Sequence, residues 1–499
     1  MTTKAELIAW LKKPDSIRTV LVEVSDVKVY SGGSWTSTTI YLSNRTFTSS
    51  TTDTPQSQFY DPCISGGVSF SESISLDGGI SISYGDIEIS NYDGSKDAWL
   101  NYVWVNKSIK VYIGDPRWNR ADFYQIFDGL VADISSRDRA SLNLILVDKL
   151  QRLNNPISEE TIVNSSSGEI VIPVLFGECF NTTPIAADAA NLVYQVHTGQ
   201  INDVLEVRDN GVPVVFTKSL TTGKFTLTRS PFGQITCTAQ GSAPGGVYTS
   251  KIAGTIKNIV KNYGPSTTRF VDSEIDLTNF SNFDTANPQP VGVYCQAREN
   301  MLEVCNNLAK SVNAQLYVDM LGKLKLTKLT LTGLTPAYTI TPEDIRERSL
   351  AVSDKPKVVA TVKIGYSKNW TVQQSSGLAG AVNAASVQLF GNEYLYVYGT
   401  VNTTIKSLYN LTDEPPAQDT LLSVKADAEA EANARTTLFS TPRYVYTMNC
   451  FAHMLPIELG EAVTLSGHSR FGLSAGSTGM TISINRDWLA GTVTLGVLV

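Results

Sequence analysis

A chain of 499 residues is long enough for three or four domains of ordinary size, and 42% hydrophobic residues make it globular, not disordered. Charged residues are only 17%, below the roughly 25% of ordinary soluble domains, which suits a subunit that buries its exterior and equally many extracellular β proteins. With 40 basic and 47 acidic residues, a net charge of −7 and no basic tract, the chain is not a dedicated nucleic-acid binder, although a mildly acidic lumen would let DNA pass without sticking.

In chain order, Lys4–Lys13 places Leu7, Ile8 and Leu11 on one face and stops at Pro14, a short helix. Thr19–Tyr30 and Thr38–Leu42 read as a hairpin around Ser31–Gly32–Gly33. Alternating runs follow at 68–76, 80–84 and 86–89, the first two separated by Asp77–Gly78–Gly79, and Lys110–Ile113 is a further strand. Phe123–Ile134 is a strand with Gly129 marking a bulge or close backbone approach. A polar turn leads into 140–147, with Leu142, Leu144 and Leu146 on one face and Asn143 and Ile145 on the other; Asp148 caps the turn Lys149–Leu153. This hairpin reads as the edge of a β-barrel over 15–153, within an N-terminal domain 1–153.

Pro156 and the serine run 165–167 mark a boundary, and a small β module fills 154–249, its Asp209–Asn210–Gly211 forming a hairpin turn. Helices at 250–263 and 300–312, with strands around Leu316–Val318 and Leu324–Leu326, make an α/β module over 250–334. Thr341–Pro342 predicts a short helix from 342. Strands at 358–366, 442–450, 462–465, 481–484 and 492–495 predict a second barrel in 335–499, interrupted by an insertion at about 371–440 that holds an alanine-rich helix over 421–438. The fold class is therefore mainly β with minor α: two β-barrels, a small β module and an α/β module.

Phe127-x-Gly129-x-Val131 on a strand, a turn, a second strand, then Asp148-x-Leu150-x-x-Leu153 resembles the barrel of phage tail baseplate hub and tail-tip proteins. The resemblance continues through Arg298–Ala309, Ala314–Asp319 and Gly322–Leu326, which repeat that family's order of helix, strand ending in Asp, glycine turn and strand. It covers 123–153 and 290–330 and, more weakly, 340–370 and 455–499. The resemblance implies a structural virion protein of the tail tip, made in the host bacterial cytoplasm. It would act as a homotrimer whose two barrels per copy adapt six-fold tail rings to a three-fold tip. Implied partners are the distal tail protein, a tail fibre or spike and the tape measure, with DNA passing through the channel unbound. Some tail-tip proteins carry an iron–sulfur cluster on four cysteines. Cys63, Cys179, Cys237, Cys295, Cys305 and Cys450 lack the compact spacing for one and read as buried free thiols.

Chemistry is sparse. His197, His453 and His468 have no second ligand at metal spacing and read as surface or turn residues. Gly472–Gly476 matches G-x-S-x-G around Ser474, but no histidine lies beyond it to complete a triad, so a glycine turn is expected. Asp86, Glu88 and Asp93 could be imagined as a glycosidase pair or calcium site, yet solvated carboxylates on a strand face are the simpler reading. Trp99, Tyr102, Trp104, Tyr112, Trp118, Phe123, Tyr124 and Phe127 are either a carbohydrate platform or core plus interface, and their strand positions favour the latter. The expectation is no enzyme: no catalytic, cofactor-binding or metal-ligating residue and no cofactor. No window is apolar for the roughly 18 residues of a membrane span. The alternative class is an extracellular protein that binds or cleaves polysaccharide.

Overall fold

The computed structural model describes residues 3–76, 80–164 and 168–499. The expected turn Asp77–Gly79 and serines 165–167 lie outside them. The chain is mainly β, with seven α-helices among the described residues: α1 (Lys4–Leu11), α2 (Ile252–Asn262), α3 (Leu277–Ala286), α4 (Met301–Lys310), α5 (Ala384–Gly391), α6 (Thr403–Leu408) and α7 (Lys425–Phe439).

The first sheet runs in the order Ser34–Ser43, Thr19–Ser31, Ser108–Gly114, Tyr124–Asp138, Ser141–Val147, Asp86–Ser90, every pair antiparallel. Its two ends are joined by residues 61–65. That segment exchanges backbone hydrogen bonds with Tyr41 and Ser43 on one side and with Glu88 and Ser90 on the other, at 2.7–3.0 Å. The join satisfies edge groups that would otherwise face water. Gly129 is needed where the strand crosses Val147: a Cβ there would fall 2.3 Å from the Phe127 ring and 2.5 Å from the Val147 carbonyl. The hairpin read from sequence as a barrel edge is interior, because Ser141–Val147 pairs on both flanks, with 130–138 and with 86–90. Sequence alternation reports which face is buried and carries no signal of a strand's place in the sheet order.

The C-terminal sheet runs Tyr338–Ile340, Ala462–Leu465, Ser477–Asp487, Thr492–Leu498, Val445–Phe451, Ala351–Asp354. Its first and last strands belong to one bent segment, since Ile345 bridges Cys450 between them. Residues 338–354 thus pair with Ala462–Leu465 near their start and with Val445–Phe451 near their end. Bridging requires extended backbone at 345, which is why the helix expected from 342 does not form; Thr341 donates through N–H and Oγ1 to the Asp344 carboxylate, both at 2.8 Å, in a tight turn.

Ser69–Ile74, read from sequence with the first barrel, pairs with Ser483–Asp487 of the C-terminal sheet. One apolar cluster accordingly contains Val22, Leu144 and Phe70 together with Ile484, Trp488 and Leu495. Glu72 on this strand meets Arg486, fully buried, at 3.1 Å, and the guanidinium also donates to the Leu455 and Ile457 carbonyls.

Between the barrels, Val174–Thr182 lies in a five-stranded sheet beside Ile235–Ser242 and Gly292–Cys295, facing a four-stranded sheet from 185–227. Asn210–Gly211, both at positive φ (48° and 84°), makes the expected two-residue hairpin turn. Helices α3 and α4 pack on the hairpin Ala314–Val318/Leu324–Lys328, and α2 packs on both of them. The strand Lys363–Tyr366, expected in the second barrel, instead forms a three-stranded sheet with Leu395–Tyr398 and Ala417–Asp419. Val362, Ile364 and Tyr366 join the α2–α4 cluster, as do Leu422, Ala428 and Ala432 around α7. The alanine face lets α7 approach closely, and buried Arg435 at its end binds Glu431 at 2.8 Å, Gln418 at 2.6 Å and the Lys310 carbonyl of α4 at 2.9 Å.

Gly177, at φ +64°, sits against strand Gly292–Cys295, where a Cβ would lie 1.8 Å from the Val291 carbonyl. Gly177→Ala is expected to cost more than about 1 kcal/mol, because the site rejects both the Cβ and the left-handed backbone of alanine. A lower urea midpoint at unchanged m-value is the expected readout.

Candidate functional site

The residues with catalytic or ligating chemistry are dispersed, and the three histidines and the carboxylates Asp86, Glu88 and Asp93 each have a structural partner. His197 is buried, not at the surface as its strand-end position implied. Its Nδ1 accepts the Leu175 N–H at 3.0 Å and its Nε2 lies 2.9 Å from the Tyr263 hydroxyl, tying strand Val174–Thr182 to the end of α2. His468 is also buried, with Nε2 3.0 Å from the Ile340 carbonyl; half-buried His453 pairs with Asp344 at 2.8 Å. A single imidazole can join two backbone segments, and a lone histidine in sequence carries no sign of that use.

Burial pushes the His197 pKa down from 6.5 to about 3. The unfolded chain therefore takes up a proton below about pH 6.5 that the folded chain refuses, and stability falls as pH drops through that window, at up to about 1.4 kcal/mol per pH unit from this residue. Urea unfolding at pH 7 and pH 5 checks this: the loss between the two should be smaller in His197→Gln than in the wild type.

Ser474 sits exposed in a short 3-10 turn (Leu473–Ala475) that opens on Gly472 at φ +72° and leads into a strand, not into the helix that a nucleophile elbow requires. Asp86 faces the exposed Arg137 at 3.1 Å, Glu88 accepts from the Ser65 hydroxyl at 3.1 Å, and Asp93 accepts from the Ser95 N–H. Asp86→Ala with Glu88→Ala is expected to change stability by less than about 1 kcal/mol, since exposed pairs contribute little; the urea midpoint reads this directly. All six cysteines are buried, and burial pushes Cys63, Cys237 and Cys450 up to about 12 and Cys179, Cys295 and Cys305 well above their ordinary value. Thiols held protonated in this way are inert as nucleophiles.

The aromatic group is core. Trp104, Tyr112, Phe123 and Phe127 are buried and Trp99, Tyr102, Trp118 and Tyr124 pack against them or their neighbours. Trp118 meets Trp10 at 4.9 Å, which seats α1 on the first barrel.

The prominent exposed feature is the tip of the first hairpin. The strand Ser108–Gly114 accompanies Thr19–Ser31 only as far as Val24, and beyond the bulge at Val24–Val27 and the bridge from Lys28 to Val103, residues 29–36 pair only with each other among the described residues. Tyr30 and Trp35, 59% and 55% exposed, face one another across this ribbon at 5.2 Å. Asp26 braces its base: bonds from Lys28, Ser37 and Lys107 hold its carboxyl well below the usual carboxylate range. A two-stranded ribbon is marginal in water, and aromatics at such a tip are typical of protein interfaces.

Solved structures of two tail proteins and of a virion align with the chain. The prophage MuSo2 43 kDa tail protein from Shewanella oneidensis does so over 97% of this chain and 98% of its own, at 11% identity and a TM-score of 0.37. A tail protein from Neisseria meningitidis MC58 aligns over 97% of each chain at 10% identity and a TM-score of 0.37. A chain of the native gene transfer agent virion aligns over 52% of this chain and 89% of its own, at 8% identity and a TM-score of 0.18. No protein-family model and no curated protein sequence matches.

Sequence reasoning missed three buried polar anchors: Glu72–Arg486, Arg435 with Glu431, and the His197–Tyr263 contact. The pair on α7 was accessible, because an i, i+4 Glu–Arg spacing in an alanine-rich helix is a visible signal. The other two join residues hundreds or tens of positions apart, and nothing local marks them.

Proposed function

We propose that this chain is a structural subunit of a phage tail, placed at the distal hub, where three copies each contribute two barrels to a six-fold-like ring. The carrying observation is the order of the hub-like motifs along the sequence, with Phe127–Val131, Asp148–Leu153 and Arg298–Leu326 each on the element type the family pattern requires. The antiparallel sheets at the two ends of the chain are consistent with it, as is the low charge fraction. The exposed Tyr30–Trp35 ribbon supplies a surface for a neighbour, now that the Phe123–Val147 hairpin is interior. The partners in this reading are the distal tail protein, a fibre or spike and the tape measure. Gold-labelled antibody against the chain tests the placement: label at the distal tail end of purified particles is expected, and label on the capsid or on no particle would overturn it.

A further inference from the structure

A cavity of about 530 Å³ opens between residues 156–160, 198–200, 242–244 and 262–269, a size within the roughly 300–1,000 Å³ of small-molecule sites. A directed chain of hydrogen bonds ends in its wall. The Leu175 N–H occupies Nδ1 of His197, so the neutral ring carries its proton on Nε2 and donates to the Tyr263 hydroxyl. The Tyr263 hydroxyl, the more acidic of the two, is assigned as the donor to Ser242 Oγ at 2.7 Å, and Asn258 Nδ2 donates to the same oxygen at 3.0 Å. In that assignment both lone pairs of Ser242 are used and its own proton has no acceptor among the described residues, although the side chain is almost fully buried. Tyr263 and Ser242 both line the cavity. An unmet donor in such a place is costly unless something accepts from it.

Glu159 and Glu160, both exposed, stand at the mouth, and Arg269 spends Nε and Nη2 on the Gly264 carbonyl. An anion would meet two carboxylates, and a simple cation could not accept from Ser242. A hydroxyl does both tasks, accepting from Ser242 while a neighbouring hydroxyl donates to a glutamate, and Pro156, Pro244, Pro265 and the Tyr263 ring offer apolar walls to C–H faces. We propose that this cavity binds a neutral, hydroxyl-bearing saccharide unit, oriented by the Ser242 proton and the Glu159–Glu160 carboxylates. This does not rest on the tail reading and would hold for the chain in any assembly.

The test is saturation-transfer NMR on the full chain with glucose, galactose, rhamnose and N-acetylglucosamine, using Ser242→Ala and Glu160→Gln. Saturation of at least one sugar by the wild type is expected, weakened about tenfold in Ser242→Ala at an unchanged melting temperature. If Ser242→Ala melts early, Glu160→Gln, altered only at the exposed mouth, gives the same readout. Transfer to none of the four sugars, equal binding by wild type and the folded variants, or a neighbour's peptide filling the cavity in the assembled particle would each overturn the proposal.

Discussion

Leu144→Asp is expected to abolish folding of the first barrel, with the protein recovered as aggregate. Leu144 is fully buried and stands opposite Ile134 on one side and Ile87 on the other, in the cluster shared by the N-terminal and C-terminal sheets. Truncation alone at such a site costs about 2–5 kcal/mol, and an unpaired buried carboxylate adds several more. That sum is a large share of the roughly 5–15 kcal/mol that holds a domain together. Ile145→Asp, one position on, faces outward at 37% exposure and is expected to fold with a loss of about 1 kcal/mol or less. Soluble yield and the urea midpoint distinguish the two, and equal damage from both would contradict the barrel's inside-out register.

Glu72→Ala is expected to destabilise the protein by about 3–5 kcal/mol, because it leaves the Arg486 guanidinium buried without its counter-charge. The Leu455 and Ile457 carbonyls hold that guanidinium in place, so it cannot swing to solvent without giving up both bonds. Since Ser69–Ile74 is also the strand that joins N-terminal residues to the C-terminal sheet, the two sheets of the variant should unfold further apart in urea than those of the wild type do. Replacing both partners by leucine removes the stranded charge and should recover part of the loss. A double variant no better than Glu72→Ala would show that packing of the strand, and not the charge pair, is what matters.

Local pattern carried much of the fold. Alternation located Thr19–Ser31, Tyr124–Asp138 and Ser141–Val147, the Asp148 cap forms as spaced, and Asn210–Gly211 turns where its positive φ values require. Helix α3 was invisible because Leu277–Ala286 buries only Phe280 and Phe283 and lacks a full apolar stripe. The errors share one origin: pairing between distant segments. Residues 61–65 joining the two ends of the first sheet, Ile345 reaching Cys450, Ser69–Ile74 crossing to Ser483–Asp487 and Lys363–Tyr366 leaving the second barrel are all choices of partner, which a single sequence does not encode locally. The same holds for the site. Asp86 and Glu88, read as solvated, are half-buried against Arg137 and Ser65, and the two buried histidines needed the partners that bury them.

Cryo-electron microscopy of the purified particle tests the central claim most directly, by locating and counting this chain. The account predicts three copies around the tail axis at its distal end, with the barrels of 1–153 and of 335–354 plus 440–499 alternating in one inner ring. Six copies, a single copy, or barrels lying off the inner ring would contradict it.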